Sequence, residues 1–168
     1  MQGRPMGRQR IRLAAVWLSL GLCFIAGNVQ AQDIVRTLPS DPLASERILL
    51  IADALSWIGT PYLYGGVSRT GVDCSGFLAS LLASSMPKAG PYPRKTDEYA
   101  NFGIETPLIE PGDILLFALE GDIYHVGLAL SADTFIHAAS EGTRTGVIIS
   151  SLQEGSWAKR VAGVRRIQ

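Results

Sequence analysis

Cysteine is almost missing from this sequence: Cys23 and Cys74 are the only two in 168 residues. Histidine is as scarce, with His125 and His137 alone. A structural zinc site needs three or four Cys or His ligands at motif spacing. Two histidines far from "DCS" do not supply one, so no metal and no cofactor is expected. An excess of one charge is also missing, with fifteen basic and fifteen acidic residues. A nucleic-acid surface would show a basic patch, and none is expected here. No apolar run reaches the roughly 20 residues a spanning helix needs. There is no internal repeat and no low-complexity tract. A chain of this length reads as one domain, large enough to bury a core without staples, and as a monomer.

The charge balance hides an asymmetry. Arg4, Arg8, Arg10 and Arg12 precede every acid, leaving the chain after residue 31 with eleven basic and fifteen acidic residues, a net of −4. An uncharged apolar run, Leu13 to Gly27, follows the arginines, and "VQA" supplies the small residues before a cut. Residues 1–31 read as a cleavable signal peptide, with cleavage after Ala31 and export to the periplasm or medium. Membrane contact is then limited to that segment. Lipid attachment at Cys23 is disfavoured because Leu22 stands where lipoprotein signals want a small residue. The arginines are not an adjacent pair, which favours the general secretory route. Residues 32–41 read as a flexible lead and 42–168 as the domain.

Export changes the cysteine count. With Cys23 removed, Cys74 is the sole mature thiol, and it has no disulfide partner in an oxidising compartment. It is either an inert buried thiol or a reactive one, and its neighbours must decide.

A first helix fits residues 42–58, with Asp41 as cap, Pro42 at its first position and Gly59 closing it. Ile48, Ile51, Ala52, Leu55 and Ile58 recur at helical spacing as its core face. A second helix runs from near Cys74 to about Ser85, presenting Phe77, Leu78, Leu81 and Leu82. Beyond residue 110 come short β-branched and aromatic runs at 114–119, 124–130, 134–139, 146–152 and 161–167. Helices first and an antiparallel meander afterwards make an α+β domain.

Cys74 falls at the start of its helix, where free N–H groups and the macrodipole favour a thiolate. Asp73 is a good N-cap, and Gly76 would let substrate approach the backbone. A cysteine nucleophile wants a base, usually histidine. "SAD" (131–133) reads as a turn joining the strands that hold His125 and His137. Pairing about Ala132 gives residue numbers summing to 264, and pairing about Ser131 gives 262. Both sums put the two histidines on one face, opposite or diagonal. One imidazole could activate the thiol while the second fixes its tautomer.

"GTPYLYGG", "DCSGF", "YPRKT", "EPGDILLF", "HVGLAL", "FIHAAS" and "GVIISSL" occur in the order seen in NlpC-type cell-wall peptidases. The chain resembles them over about residues 45–167, and within them the small secreted murein endopeptidases of Gram-negative bacteria. The resemblance implies a papain-like α+β core, with N-terminal helices packed on a mostly antiparallel sheet of five or six strands. It implies Cys74 as nucleophile, His125 as base and His137 as orienter. It implies Tyr62 on the oxyanion side, and Asp73, Ser75 and Arg94 along the substrate stem; Asp73 and Ser75 fit structural capping equally well, and Arg94 an ion pair. The implied activity is hydrolysis of peptide bonds in peptidoglycan stem peptides or cross-links. Lys95-Thr96 and Tyr99 depart from the family pattern where it shapes the cleft. The alternatives are an amidase or acyltransferase of the same layout, including an antibacterial effector, and a non-catalytic wall-binding module. A binding module would have no need of the thiol.

Overall fold

The structure is a computed structural model and describes residues 42–167, Thr143 excepted. The expected signal peptide, Cys23, the lead and the Asp41 cap lie outside the described residues.

Helix α1 spans Pro42–Ser56. It is two residues shorter than its periodicity predicts. Trp57 and Ile58 donate to Ala54 and Leu55, a tighter i→i−3 turn that ends the helix. The buried face also differs from expectation. Leu50 and Ala54 are fully buried and Trp57 nearly so, whereas Ile48, Leu55 and Ile58 are exposed. α1 is apolar almost all round, so spacing alone could not choose its rotation. Arg47 chooses it: this residue shares a face with Leu50 and Ala54, and its guanidinium bonds the fully buried Asp113 at 2.6 Å.

A small antiparallel pair, β1 (Val67–Ser68) and β2 (Gly71–Val72), precedes helix α2 (Cys74–Ser85). α2 matches expectation in both bounds and face: Phe77, Leu78, Leu81 and Leu82 are fully buried. Two 3₁₀ turns, Pro87–Ala89 and Asp97–Asn101, lead into the sheet.

The sheet contains β3 (Ile104–Glu105), β4 (Ile114–Leu119), β5 (Asp122–Ala129), β6 (Thr134–Ala139), β7 (Gly146–Ser151) and, after the short helix α3 (Trp157–Arg160), β8 (Val161–Arg166). Its order is β3-β8-β4-β5-β6-β7, antiparallel throughout. Strands β4 to β7 form the expected meander. β8 crosses back to the free edge of β4 instead of following β7.

The two-residue alternation of the strands gives two apolar clusters. Ile114, Leu116, Val126, Leu128, Ile136, Ala138 and Val147 join α1 and α2. Leu115, Phe117, Ala129, Phe135 and Val164 form a second cluster, closed by Trp157. Asp113 fastens the two layers: besides Arg47 it accepts from Arg166 of β8 at 2.9 and 3.1 Å and from the Glu110 N–H.

Candidate active site

The start of α2 is built by Asp73. Its Oδ1 accepts the Gly76 N–H at 2.5 Å, a helix N-cap, while its Oδ2 accepts the Gly65 N–H at 2.8 Å. One carboxylate thus starts the helix that carries Cys74 and pins the preceding loop to it. Gly76 serves this packing and not substrate access. A Cβ there would lie 2.1 Å from the Gly66 carbonyl oxygen, so the loop could not close over the helix.

Cys74 is a free thiol, mostly buried. Burial pushes its pKa up from the usual range, and the Asp73 charge adds to this. The backbone N–H groups of Val126, Ser75 and Cys74 itself pull the other way. Burial therefore opposes the thiolate that the helix start favours. The helix start does offer N–H groups, but desolvation outweighs them.

Val126 follows His125, so the thiol lies against the strand that carries the first histidine. The β5–β6 register resolves the two sequence options. Leu128 pairs Ile136 and Ala129 pairs Phe135, the turn centred on Ala132. Extended along the strands, that register sets the histidines on the diagonal of one face, with Gly127 opposite His137. A side chain at Gly127 would meet the Phe135 ring at 2.9 Å and His137 Cβ at 3.3 Å, so its bareness leaves room for the second imidazole.

The imidazoles meet directly: His125 Nε2 and His137 Nδ1 are 2.7 Å apart. His137 Nε2 in turn lies 3.0 Å from Ser150 Oγ on β7. Ser150 was not singled out from the sequence. Its place follows from the β6–β7 register, which sets His137 opposite Ile148 and Ser150 two residues on, across a loop whose length fixes nothing. Phe117, Phe135 and Trp157 pack around the pair, with Trp157 centred 5.6 Å from His125 and 5.1 Å from His137. This burial pulls both imidazoles below their ordinary value of 6.5. For His137 the neighbouring His125 charge adds to the effect.

Cys74, His125, His137 and Tyr62 share one cavity of about 170 Å³, with Tyr124, Ser140, Glu141, Trp157 and Arg160 on its walls. Burial raises the Tyr62 phenol, as do the charges of Cys74 and Asp73, against a hydrogen bond with Ser140. A second, more open cavity of about 440 Å³ shares Cys74, Tyr62 and Tyr124 and contains Asp73, Ser75, Arg94 and Lys95, but neither histidine nor Arg160.

Within that second cavity the predicted stem residues are already engaged. Ser75 Oγ donates to the Arg94 carbonyl at 2.7 Å, and Arg94 Nη1 lies 3.7 Å from Asp73 Oδ1. Tyr99 is fully buried beneath Ser75, donating to its carbonyl at 3.3 Å, so it props the helix start instead of lining the cleft. Lys95 does line the cleft. Among the described residues no group of three or more His, Cys, Asp or Glu is placed to hold a metal ion.

The NlpC/P60 family model matches residues 59–166. A protein of Haemophilus influenzae named "Probable endopeptidase" is 42% identical over 115 residues, covering 66% of this chain and 68% of that one. "Probable endopeptidase NlpC" of Escherichia coli is 38% identical over 137 residues, covering 77% of this chain and 86% of that one. Among solved structures, the NlpC/p60 domain of the peptidoglycan hydrolase SagA matches with a TM-score of 0.60 at 27% identity. That match covers 72% of this chain and 98% of the other. A family model spanning the loop, the thiol helix and the histidine strands leaves one conclusion: the chain belongs to the NlpC/P60 family.

Proposed function

We propose that this chain is an exported cysteine endopeptidase that hydrolyses peptide bonds in peptidoglycan stem peptides or cross-links. The observation that carries the reading is the hydrogen-bonded line His125–His137–Ser150, whose two imidazoles share a cavity with the sole described thiol. Family membership and the peptidoglycan hydrolase among its structural relatives support the substrate class.

The geometry gives each group a task. His125 Nε2 is engaged by His137, so Nδ1 is the nitrogen left to take the thiol proton. For Nδ1 to be a base, Nε2 must carry the ring hydrogen and donate it to His137 Nδ1. His137 then holds its own hydrogen on Nε2 and donates to Ser150. As Cys74 Sγ attacks the amide carbonyl, its proton passes to His125. The carbonyl oxygen becomes an oxyanion between the Cys74 N–H and the Tyr62 hydroxyl. His125 returns the proton to the leaving nitrogen as the C–N bond breaks. Water, deprotonated by the same imidazole, then opens the thioester. A thiol pushed up and an imidazole pulled down by burial favour general-base chemistry over attack by a pre-formed thiolate.

The export reading rests on residues 1–31, with 32–41 as lead, 42–168 as the peptidase domain and a mature terminus at Gln32. Incubation of the purified domain with muropeptides, read by mass, tests the function. Scission within the peptide is the expected result, absent in Cys74→Ala. Release of whole peptide from the sugar would make the chain an amidase, and no scission would leave a binding module.

A further inference from the structure

The two cavities that meet at Cys74 differ in one respect that sets the direction of the substrate. Only the smaller contains the histidines. The proton must reach the leaving nitrogen from His125, so the smaller cavity is where the leaving amine and its residue lie. This step rests on the peptidase reading above. Its walls include Tyr124, Glu141, Trp157 and Arg160.

Arg160 is a held cation. Its Nη1 donates to the Tyr124 hydroxyl at 2.9 Å, and its guanidinium lies 5.8 Å from the centre of the Tyr124 ring. Tyr124 immediately precedes His125, so this anchor is tied to the base itself. Arg47, Arg69, Arg94, Arg165 and Arg166 each face a carboxylate. Arg160 has none at ion-pair distance among the described residues. A guanidinium presents five N–H donors in a rigid fork that matches a carboxylate. With one donor given to a phenol, the rest of the fork remains to be used. Glu141 on the same cavity makes its wall mixed in sign, so a general positive field is not what would attract an anion there.

We propose that Arg160, held by Tyr124, receives a free carboxylate on the leaving-amine side of the scissile bond. The enzyme then prefers substrates whose released amine belongs to an amino acid with an unblocked carboxylate. The contact exists before and during reaction, so it acts mainly on KM.

The test uses two peptides that differ only in the leaving residue, free acid in one and carboxamide in the other. The wild-type protein should cleave the free acid with a kcat/KM roughly tenfold higher or more, the scale of a charge-assisted hydrogen bond at a partly exposed site. Arg160→Gln should bring the ratio close to one, and Arg160→Lys should hold an intermediate ratio. Equal cleavage of both peptides by the wild type, or an equal loss on both in Arg160→Gln, would overturn the assignment. A calorimetric titration of Cys74→Ala with both peptides decides the site independently of turnover. Tighter binding of the free acid, abolished in Cys74→Ala/Arg160→Gln, supports it, and equal binding sinks it. If the wild type cuts neither peptide, the peptidase reading fails while the titration still answers for Arg160.

Discussion

His125 Nε2 and His137 Nδ1 lie 2.7 Å apart across the diagonal of two antiparallel strands. Only one hydrogen can occupy that line, and its side decides whether His125 is a base. With the hydrogen on His125, Nδ1 is free to accept the thiol proton. With it on His137, Nδ1 of His125 carries the other ring hydrogen and the site is silent.

Replacing members of this line should therefore have unequal effects. Cys74→Ala and His125→Ala each abolish turnover, because nucleophile and base act as a unit. His137→Ala lowers kcat by roughly 10²-fold, within the range for a group that supports proton transfer. His137→Asn recovers part of this, since its amide oxygen accepts the His125 Nε2 hydrogen. Steady-state kinetics on one stem peptide checks the ranking, and full activity in His137→Ala would remove the orienter role.

Ser150 holds the far end of the line. In Ser150→Ala the active tautomer leaves a buried His137 Nε2 hydrogen unpaired while the silent one leaves only a bare ring lone pair, and the difference, part of about 1–3 kcal/mol, favours the silent tautomer. The expected result is about a tenfold loss in kcat with KM unchanged, and retention in Ser150→Thr. A purely packing role would not be rescued by a hydroxyl and would not shift the imidazole ¹⁵N resonances toward the other tautomer, so those two readouts separate the cases.

The pH profile follows from burial. His125 and His137 lie below 6.5 in the folded state because desolvation opposes their charge. Their neutral forms contribute stability that is present above 6.5 and lost as pH falls through the lowered folded values. Burial pushes the Cys74 thiol up from its ordinary value, and the stability of its protonated form is lost only as pH rises through that raised value. The acidic limb of kcat/KM should accordingly fall below pH 6.5, with no thiolate absorbance at neutral pH and slow iodoacetamide labelling there. A thiolate band at pH 7 would return the site to an ion-pair mechanism.

Asp113 predicts stability and not catalysis. It is fully buried and serves Arg47 and Arg166 at once. Asp113→Ala leaves Arg47 without its carboxylate and Arg166 with Glu110 alone, and unfolding in urea should show a loss of about 3 kcal/mol. A change below 1 kcal/mol would mean that α1 is held by Leu50 and Ala54 packing alone.

Much of this was legible in the residues. Strands such as 114–119 and 134–139 were readable to the residue, because β-branched and aromatic runs between turns have few other uses. The α2 face was readable because its large apolar residues, Phe77, Leu78, Leu81 and Leu82, recur at helical spacing with only small residues between them. α1 misled because it is apolar on several sides, and a remote carboxylate decided which side went in. The two-residue period put both histidines on one face in either turn register, but only the hydrogen-bonded ladder fixed the diagonal.

The sequence by itself determined the chemical parts: a thiol at a capped helix start and two histidines in adjoining strands. These are local matters of residue type and spacing. The tertiary structure alone decided the burial of the thiol, the meeting of His137 with Ser150, the crossing of β8 and the seat of Arg160 beside Tyr124. Each depends on groups far apart in the chain. Desolvation and hydrogen bonding act over a few ångströms, a distance that sequence separation does not encode.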